Sequence, residues 1–344
     1  MKAFALTGIR RMALRDIPDP IITKPNQALL KIAAVGICGS DVHYYRTGRV
    51  GSQIVRYPFI VGHECSAVVC AIGKKVKKVK PGMRVAVEPA MPCHACDQCH
   101  MGRENTCRNL GFLGCPGQAE GSLCEYLVMP EECCLPIPKS MTFEEAALVE
   151  PLSIGLYAFQ LAKLKKGSRI AVLGSGPIGL SVLAAAHTEG AKAVYMTDIR
   201  DYRCAIAKKA GALWSGNPHK AGIVPAILRK DPLGLDAVFE CAGEQESFDQ
   251  AVDLLRPGGT VVMVGIPEFD RLSFTIDKAR RKEIAILNVR RQNHCTEKAL
   301  KYIAQGKIKP GYMVTHRFAF KDAQKGFDFV DGYKDGVVKA MILF

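Results

Sequence analysis

The stretch Arg169-Ile170-Ala171-Val172-Leu173-Gly174-Ser175-Gly176-Pro177-Ile178-Gly179 decides the architecture. An apolar run ends in glycines at G-x-G-x-x-G spacing and an alanine- and leucine-rich segment follows, so strand, tight turn and helix succeed one another. Each glycine has a task. Gly174 permits the turn, Gly176 lets the backbone approach a pyrophosphate, and Gly179 lets the helix pack close to the strand. The helix N-terminus presents unpaired N–H groups and a partial positive charge, so the phosphates need no basic side chain. Asp198 closes a second apolar strand 19 residues beyond Gly179, where a carboxylate accepts hydrogen bonds from the adenosine ribose. Its charge repels a 2′-phosphate, which favours NAD over NADP. Arg200 and Arg203 lie just beyond, and an arginine there can accommodate that phosphate. The expected coenzyme contacts are Gly174, Gly176, Pro177, Ile178, Gly179, Asp198, Arg203, Cys241 on the adenosine side, Val264 and Ile266.

Outward from this fingerprint the chain alternates strand and helix. Strands are expected at 169–173, 193–197, 236–240, 260–264 and 284–287, with a weaker one near Leu213, and helices at 178–189 and 202–210. Such alternation predicts an α/β fold, a doubly wound parallel sheet covered on both faces. Before it, short apolar runs at 28–35, 67–72, 84–87 and 125–128 stand between Gly and Pro, the pattern of a β-rich domain. Helical spacing at 143–148 and 154–163 links the two. The segment from His294 to Phe344 reads helix, strand, helix, strand, too short for a separate domain, and is expected to return to the first one.

The chain has 344 residues, enough for two domains, and 48% hydrophobic with 23% charged residues excludes wholesale disorder. No apolar run approaches the roughly 18 to 20 residues of a bilayer span, and Met1 to Gly8 breaks before a secretory core forms, so the expectation is a cytoplasmic protein without a membrane partner. The 47 basic and 33 acidic residues give +14. The run Lys74-Lys75-Val76-Lys77-Lys78-Val79-Lys80 lacks the interleaved aromatics of a nucleic-acid surface and reads as a solvated connection between hairpin strands.

Fourteen cysteines point to metal before disulfides where no export signal is read. Cys93, Cys96, Cys99 and Cys107 put four thiols within fifteen residues, a spacing that tetrahedral zinc tolerates as a closed, structural shell. The rival is an iron–sulfur cluster. Its bacterial run needs a fourth cysteine after three intervening residues and followed by proline, whereas Cys107 precedes Arg108 and Cys115-Pro116 lies too far along. His94 and His100 are neighbours the shell does not need. The other cysteines, Cys70 among them, read as apolar filling.

Cys38-Gly39-Ser40-Asp41-Val42-His43, Gly62-His63-Glu64-Cys65 and Val149-Glu150-Pro151 supply thiol, imidazole and carboxylate from separate segments. A catalytic zinc needs such a set with one position open. Taken with the cysteine lobe, Gly174 to Gly179 and Asp198, these residues resemble the zinc-dependent medium-chain dehydrogenases over essentially the whole chain. Glu150 selects the branch. Alcohol dehydrogenases proper usually carry a second cysteine ligand there, whereas sorbitol (L-iditol) and related polyol dehydrogenases have Glu-Pro, and Phe143 to Ser153 looks like the polyol branch.

The resemblance implies a GroES-like catalytic domain over 1–152 and 291–344, a Rossmann domain over 153–290, two zinc ions per chain, NAD, and commonly a homotetramer. It implies a catalytic zinc held by Cys38, His63 and Glu64, with Glu150 a ligand directly or through water; which carboxylate binds directly stays open. Ser40 and His43 match the family's proton relay, and Tyr44, Phe112 and Arg290 fall where the family places polyol contacts. The implied reaction takes hydride from a secondary alcohol to nicotinamide, giving a ketose. Arg290-Arg291-Gln292-Asn293 departs from the pattern by lacking an aromatic residue beside the arginine. Two guanidiniums suit a carboxylate or phosphate, so a sugar acid or polyol phosphate is an alternative substrate, as is L-threonine. Outside enzymes, the alternative is a zinc-ribbon nucleic-acid binder.

Overall fold

The alternating run expected at 28–35 becomes strand Gln27–Gly36, the spine of the first of two units in this computed structural model, which describes residues 1–344. That unit comprises Met1–Glu150 and Thr296–Phe344; the second is Pro151–Cys295. The spine strand buries alternate residues through Ile32 and then every residue from Ala34 to Gly36. The change follows from its neighbours. Along one edge it pairs antiparallel with Glu64–Ile72. Along the other, Tyr126–Pro130 covers its first half, and Lys339–Leu343 takes Ala34 to Gly36.

The whole sheet has seven strands, in the order Cys134–Pro136, Arg84–Val87, Glu64–Ile72, Gln27–Gly36, Lys339–Leu343, Val314–Ala319, with Tyr126–Pro130 beside the spine. The chain's last segment forms helix Thr296–Ala304, strand Val314–Ala319, helix Ala323–Asp331 and strand Lys339–Leu343, and thereby completes the first unit's sheet. Lysines 74 to 80 do connect two antiparallel strands. Val76 and Val79 are pinned in the core while the lysines are exposed, and Glu131 accepts the backbone N–H groups of Lys77 and Lys78.

The second unit is a six-stranded parallel sheet in the order Trp214–Gly216, Ala193–Thr197, Arg169–Leu173, Leu235–Glu240, Leu255–Met263, Ala285–Asn288. The order reverses between Arg169–Leu173 and Leu235–Glu240, the switch point where doubly wound sheets bind ligands. Ala193–Thr197 is buried at every residue, as a strand covered on both faces must be. The strand expected at 260–264 begins earlier, at Leu255, because Pro257-Gly258-Gly259 is carried through a register shift instead of ending the pairing. No helix is long and apolar enough to cross a membrane.

Helix Val149–Leu161 carries Pro151 in its first turn, where a missing N–H costs nothing, and Gly155 on the face toward helix Pro177–Thr188. A Cβ at Gly155 would collide with the Ser181 carbonyl carbon and oxygen. Overpacking of this kind costs about 1–3 kcal/mol. Gly155→Ala should therefore lower the thermal unfolding midpoint by several degrees, and an unchanged midpoint would contradict the close helix contact.

Candidate metal centres and coenzyme site

Cys38 sits at the entrance of helix Gly39–Thr47, its backbone still extended (φ −85°, ψ 153°). The sequence reading did not foresee this helix. Asp41 lies in its first turn, fully buried, and ties two separate motifs together: its carboxylate accepts the Cys38 N–H at 3.2 Å and the Gly62 N–H at 3.3 Å, and its Oδ1 stands 3.4 Å from His63 Nδ1. With Nδ1 turned to a carboxylate, Nε2 is the nitrogen left to face a metal. Cys38, His63 and Glu64 each bring a donor atom within 4.8 Å of the others.

Glu64 is fully buried and faces Gly36 across the strand pair, where any Cβ would collide with its carboxylate. Lys339, 2% exposed, answers its charge with Nζ contacts of 2.6 and 2.8 Å, and donates further to the Ile37 carbonyl at 3.0 Å. Glu150 is buried as well but is not among the donors gathered within 4.8 Å. Burial pushes its carboxyl up to about 8, with Glu64 and Glu88 adding to the shift and His63 and Lys339 opposing it. One thiol, one imidazole and a carboxylate so close together are a donor set that Zn²⁺ accepts with a coordination position to spare.

Ser40 donates to Cys38 Sγ at 3.4 Å, and His43 follows three residues along the same helix, hence on the same face. Burial and the neighbouring Arg46 push the His43 pKa down. Tyr44 is buried and donates its hydroxyl to Gln53 at 3.0 Å, and the Phe112 ring lies 5.4 Å from that of His63. Arg290 belongs to the second unit and is exposed there; Arg291 is half-buried with a left-handed backbone (φ 56°).

Cys93, Cys96, Cys99 and Cys107 converge within 4.8 Å, with Sγ separations of 3.6 Å for Cys96–Cys99 and 3.9 Å for Cys96–Cys107. Backbone N–H groups of Arg108 and Cys99 bring the Cys96 thiol down to about 6, while burial and the neighbouring Cys96 and Cys107 push the Cys99 thiol up to about 12. A bidentate pair from Arg108 to Asp97, at 2.5 and 2.8 Å, braces it. His94 turns away, to Glu132 at 3.0 Å and Glu104 at 3.2 Å. Cys70 is exposed, so apolar filling is not its role.

In the second unit Gly174 adopts φ +103°, a conformation closed to most side chains, and a Cβ on Gly179 would strike the Gly174 carbonyl oxygen. Helix Pro177–Thr188 starts from Gly176, where an added Cβ would stand 3.4 Å from Arg203 Nη1. Asp198 accepts the Ser175 and Arg200 N–H groups at 2.9 Å each, and Arg203 Nη1 stands 3.7 Å away. Cys241 follows the next strand, its N–H on the Leu173 carbonyl at 2.7 Å, while burial pushes its thiol well up. Val264 donates its N–H to the Glu240 carbonyl at 2.8 Å, and Ile266 is 46% exposed. A bare glycine turn opening a helix beside a carboxylate fits a dinucleotide.

Residues 24–139 match the alcohol dehydrogenase GroES-like domain and residues 177–305 the zinc-binding dehydrogenase domain. The sorbitol dehydrogenase of Bacillus subtilis is 35% identical over 343 residues, 99% of this chain and 97% of that protein. The L-idonate 5-dehydrogenase of Vitis vinifera is 34% identical over 330 residues, covering 94% of this chain and 89% of the relative. A crystal structure described as a zinc-binding dehydrogenase from Sinorhizobium meliloti 1021 bound to NADP has a TM-score of 0.90 at 29% identity, with 100% and 99% of the two chains covered. The chain belongs to the zinc-dependent medium-chain dehydrogenases.

The dehydrogenase holds two functional partners that the sequence reading passed over. Asp41 stood inside the quoted Cys38 to His43 motif, and an acidic residue three beyond a helix entrance was a signal for it. Lys339 carried none, because only the return of the last strand brings it to Glu64. The two donor groups predict two metals per chain. Cys38→Ala should retain one by elemental analysis and lose turnover, and retention of both with normal turnover would dissociate Cys38 from a metal.

Proposed function

We propose that this dehydrogenase oxidises a secondary hydroxyl of a sugar alcohol to a ketose, with one catalytic and one structural zinc per chain and NAD as hydride acceptor. One observation carries the reading: Cys38, His63 and the buried Glu64 gather one thiol, one imidazole and one carboxylate, with a second buried carboxylate, Glu150, near enough to feel the charges of His63 and Glu64, where alcohol dehydrogenases proper usually use a second thiolate. The 35% identity to a sorbitol dehydrogenase supports the same branch. Arg203 turned toward Asp198 supports NAD, because the guanidinium is already engaged by the carboxylate that excludes a 2′-phosphate. No two of the fourteen cysteines are joined in a disulfide, which suits a reducing cytoplasm. A homotetramer remains the expected assembly; edge strand Ala285–Asn288, exposed at three of its four residues, supports a protein partner there.

When bound, zinc supplies Lewis acidity toward the substrate hydroxyl and the nicotinamide supplies the hydride acceptor. Cys38, His63 and Glu64 would hold the metal, with Glu150 nearby, and Asp41 braces His63. Lys339 neutralises Glu64, so this carboxylate does not add its full negative charge at the reacting centre. Ser40 takes the alcohol's proton and His43 passes it toward solvent; both lie on one helix face at the mouth of the Cys38 turn. Tyr44 and Phe112 border the substrate.

A panel of sorbitol, xylitol, galactitol, L-gulonate, a polyol phosphate and L-threonine, read by absorbance of reduced nicotinamide, tests the substrate class. The neutral polyols should give the highest kcat/KM; L-threonine turning over best would overturn the reading, and L-gulonate or the phosphate ranking first would move it to anionic substrates.

The depressed pKa of His43 means that it is neutral, and able to accept a proton, down to below the ordinary value of 6.5. Oxidation should lose kcat only as the pH falls through that lowered pKa. His43→Gln should lower kcat by about a hundredfold, the lower bound for general acid–base effects, and erase this acid limb. An acid limb that survives in the variant would remove His43 from the relay.

A further inference from the structure

Strand Leu235–Glu240 ends in a carboxylate that none of the chemistry above employs. Glu240 is fully buried at the switch point of the parallel sheet, paired across to Leu173 on one side and Met263 on the other. Its side chain curls past the end of its own strand. Oε1 accepts the N–H groups of Ala242 at 2.7 Å and Gly243 at 2.8 Å and the Ser247 hydroxyl at 2.7 Å. Its main-chain oxygen accepts the N–H groups of Val264 and Gly265, both at 2.8 Å. The second carboxylate oxygen, Oε2, is buried with no hydrogen-bond partner.

Successive backbone N–H groups that close on one point, with a left-handed residue in the turn, form a concave nest for an anion. Gly243 supplies that conformation at φ +76°. Nests of this kind commonly take phosphate from outside. Here the chain fills one with its own carboxylate, beside the phosphate-binding turn. Burial raises the carboxyl pKa of Glu240 and is the largest effect, and the converging N–H and O–H donors of the nest oppose it.

Three turns meet around this group with no side chain between them. A Cβ on Gly174 would stand 2.9 Å from the Cys241 carbonyl carbon, one on Gly243 would stand 2.7 Å from the Ile266 oxygen, and one on Gly265 would stand 2.8 Å from Glu240 Oε2. The 174, 241–243 and 264–266 turns thus rest backbone against backbone. Displacing the middle one must displace the other two.

We propose that Glu240 is a positioning residue of the coenzyme site, an internal anion that fills the 242–243 nest and holds the three turns in the form the dinucleotide binds. The inference rests on reading the second unit as that coenzyme site. It separates Glu240 from the residues that touch the coenzyme, such as Asp198: Glu240 acts only through the loop it holds.

The test is fluorescence titration of NADH into the intact, zinc-loaded wild type and into Glu240→Ala, Glu240→Gln and Phe248→Ala, the last a core substitution in the same unit. Glu240→Ala removes several charge-assisted hydrogen bonds and should weaken NADH about tenfold or more. Formate, a carboxylate small enough for the emptied nest, should restore most of the lost affinity. Phe248→Ala should lower the unfolding temperature and give no response to formate, which separates nest filling from general destabilisation. The proposal is overturned if Glu240→Ala binds NADH within about twofold of wild type, or if its loss is insensitive to formate. Should the alanine variant fail to fold, Glu240→Gln decides: loss of the charge should cost about fivefold, and wild-type affinity would overturn the proposal. A wild type that binds no NADH would refute the coenzyme reading itself.

Discussion

A carboxylate with no access to water must be given a counter-charge, and Glu64 is such a carboxylate. Lys339 supplies it at 2.6 and 2.8 Å, and the donor atoms of Cys38 and His63 lie within 4.8 Å of a Glu64 oxygen, where a divalent ion would supply more. The lysine arrives on Lys339–Leu343, which docks along Ala34 to Gly36 of the spine strand; Met341 pairs with Gly36, whose other partner is Glu64, and Lys339 stands two residues before Met341. The metal centre of the first unit therefore depends on the last strand of the chain. This explains physically why the segment beyond Thr296 returns to the first unit: without it Glu64 would be left as an uncompensated buried charge.

The same pair bears on chemistry. Cys38 thiolate, Glu64 and Glu150 together would place excess negative charge around one divalent ion and blunt its Lewis acidity. Lys339 absorbs part of that charge through two short contacts. Asp41 works on the other ligand, presenting His63 in one orientation and bridging to the Cys38 backbone. The donor geometry is thus held by Asp41 and Lys339, neither of which belongs to the donor group itself.

The second unit solves a different problem with different means. Its ligand is an anion, and the answer is main-chain N–H groups, a helix N-terminus and glycines that give no side chain to the turns. Where backbone donors would otherwise be left over, beside Gly174, Glu240 takes them. Charge in the first unit is concentrated on side chains; in the second it is spread over peptide dipoles, with buried carboxylates, Asp198 and Glu240, fastening the turns from within.

Local spacing made much of this legible. The glycine fingerprint, the strand-helix alternation after it and the four-cysteine lobe are statements about residues close in the chain, and periodicity or ligand spacing reports directly on such neighbours. That is why Arg169–Leu173, helix Pro177–Thr188 and the 93–107 thiols needed no tertiary information to be found. Helix Gly39–Thr47 escaped because its stop is a left-handed Gly48 and its start a buried Asp41, cues weaker than the apolar pattern of the strand before it. The early start of Leu255–Met263 escaped because Pro and Gly usually end pairing, and here a neighbouring strand carries them through. The sequence by itself determined the fold class, the family and the donor types. Only the tertiary structure decided that Lys339 serves Glu64, that Asp41 holds His63, and that Glu240 fills a nest, because each joins groups whose meeting depends on how strands return and turns stack, and spacing along a chain carries no record of that.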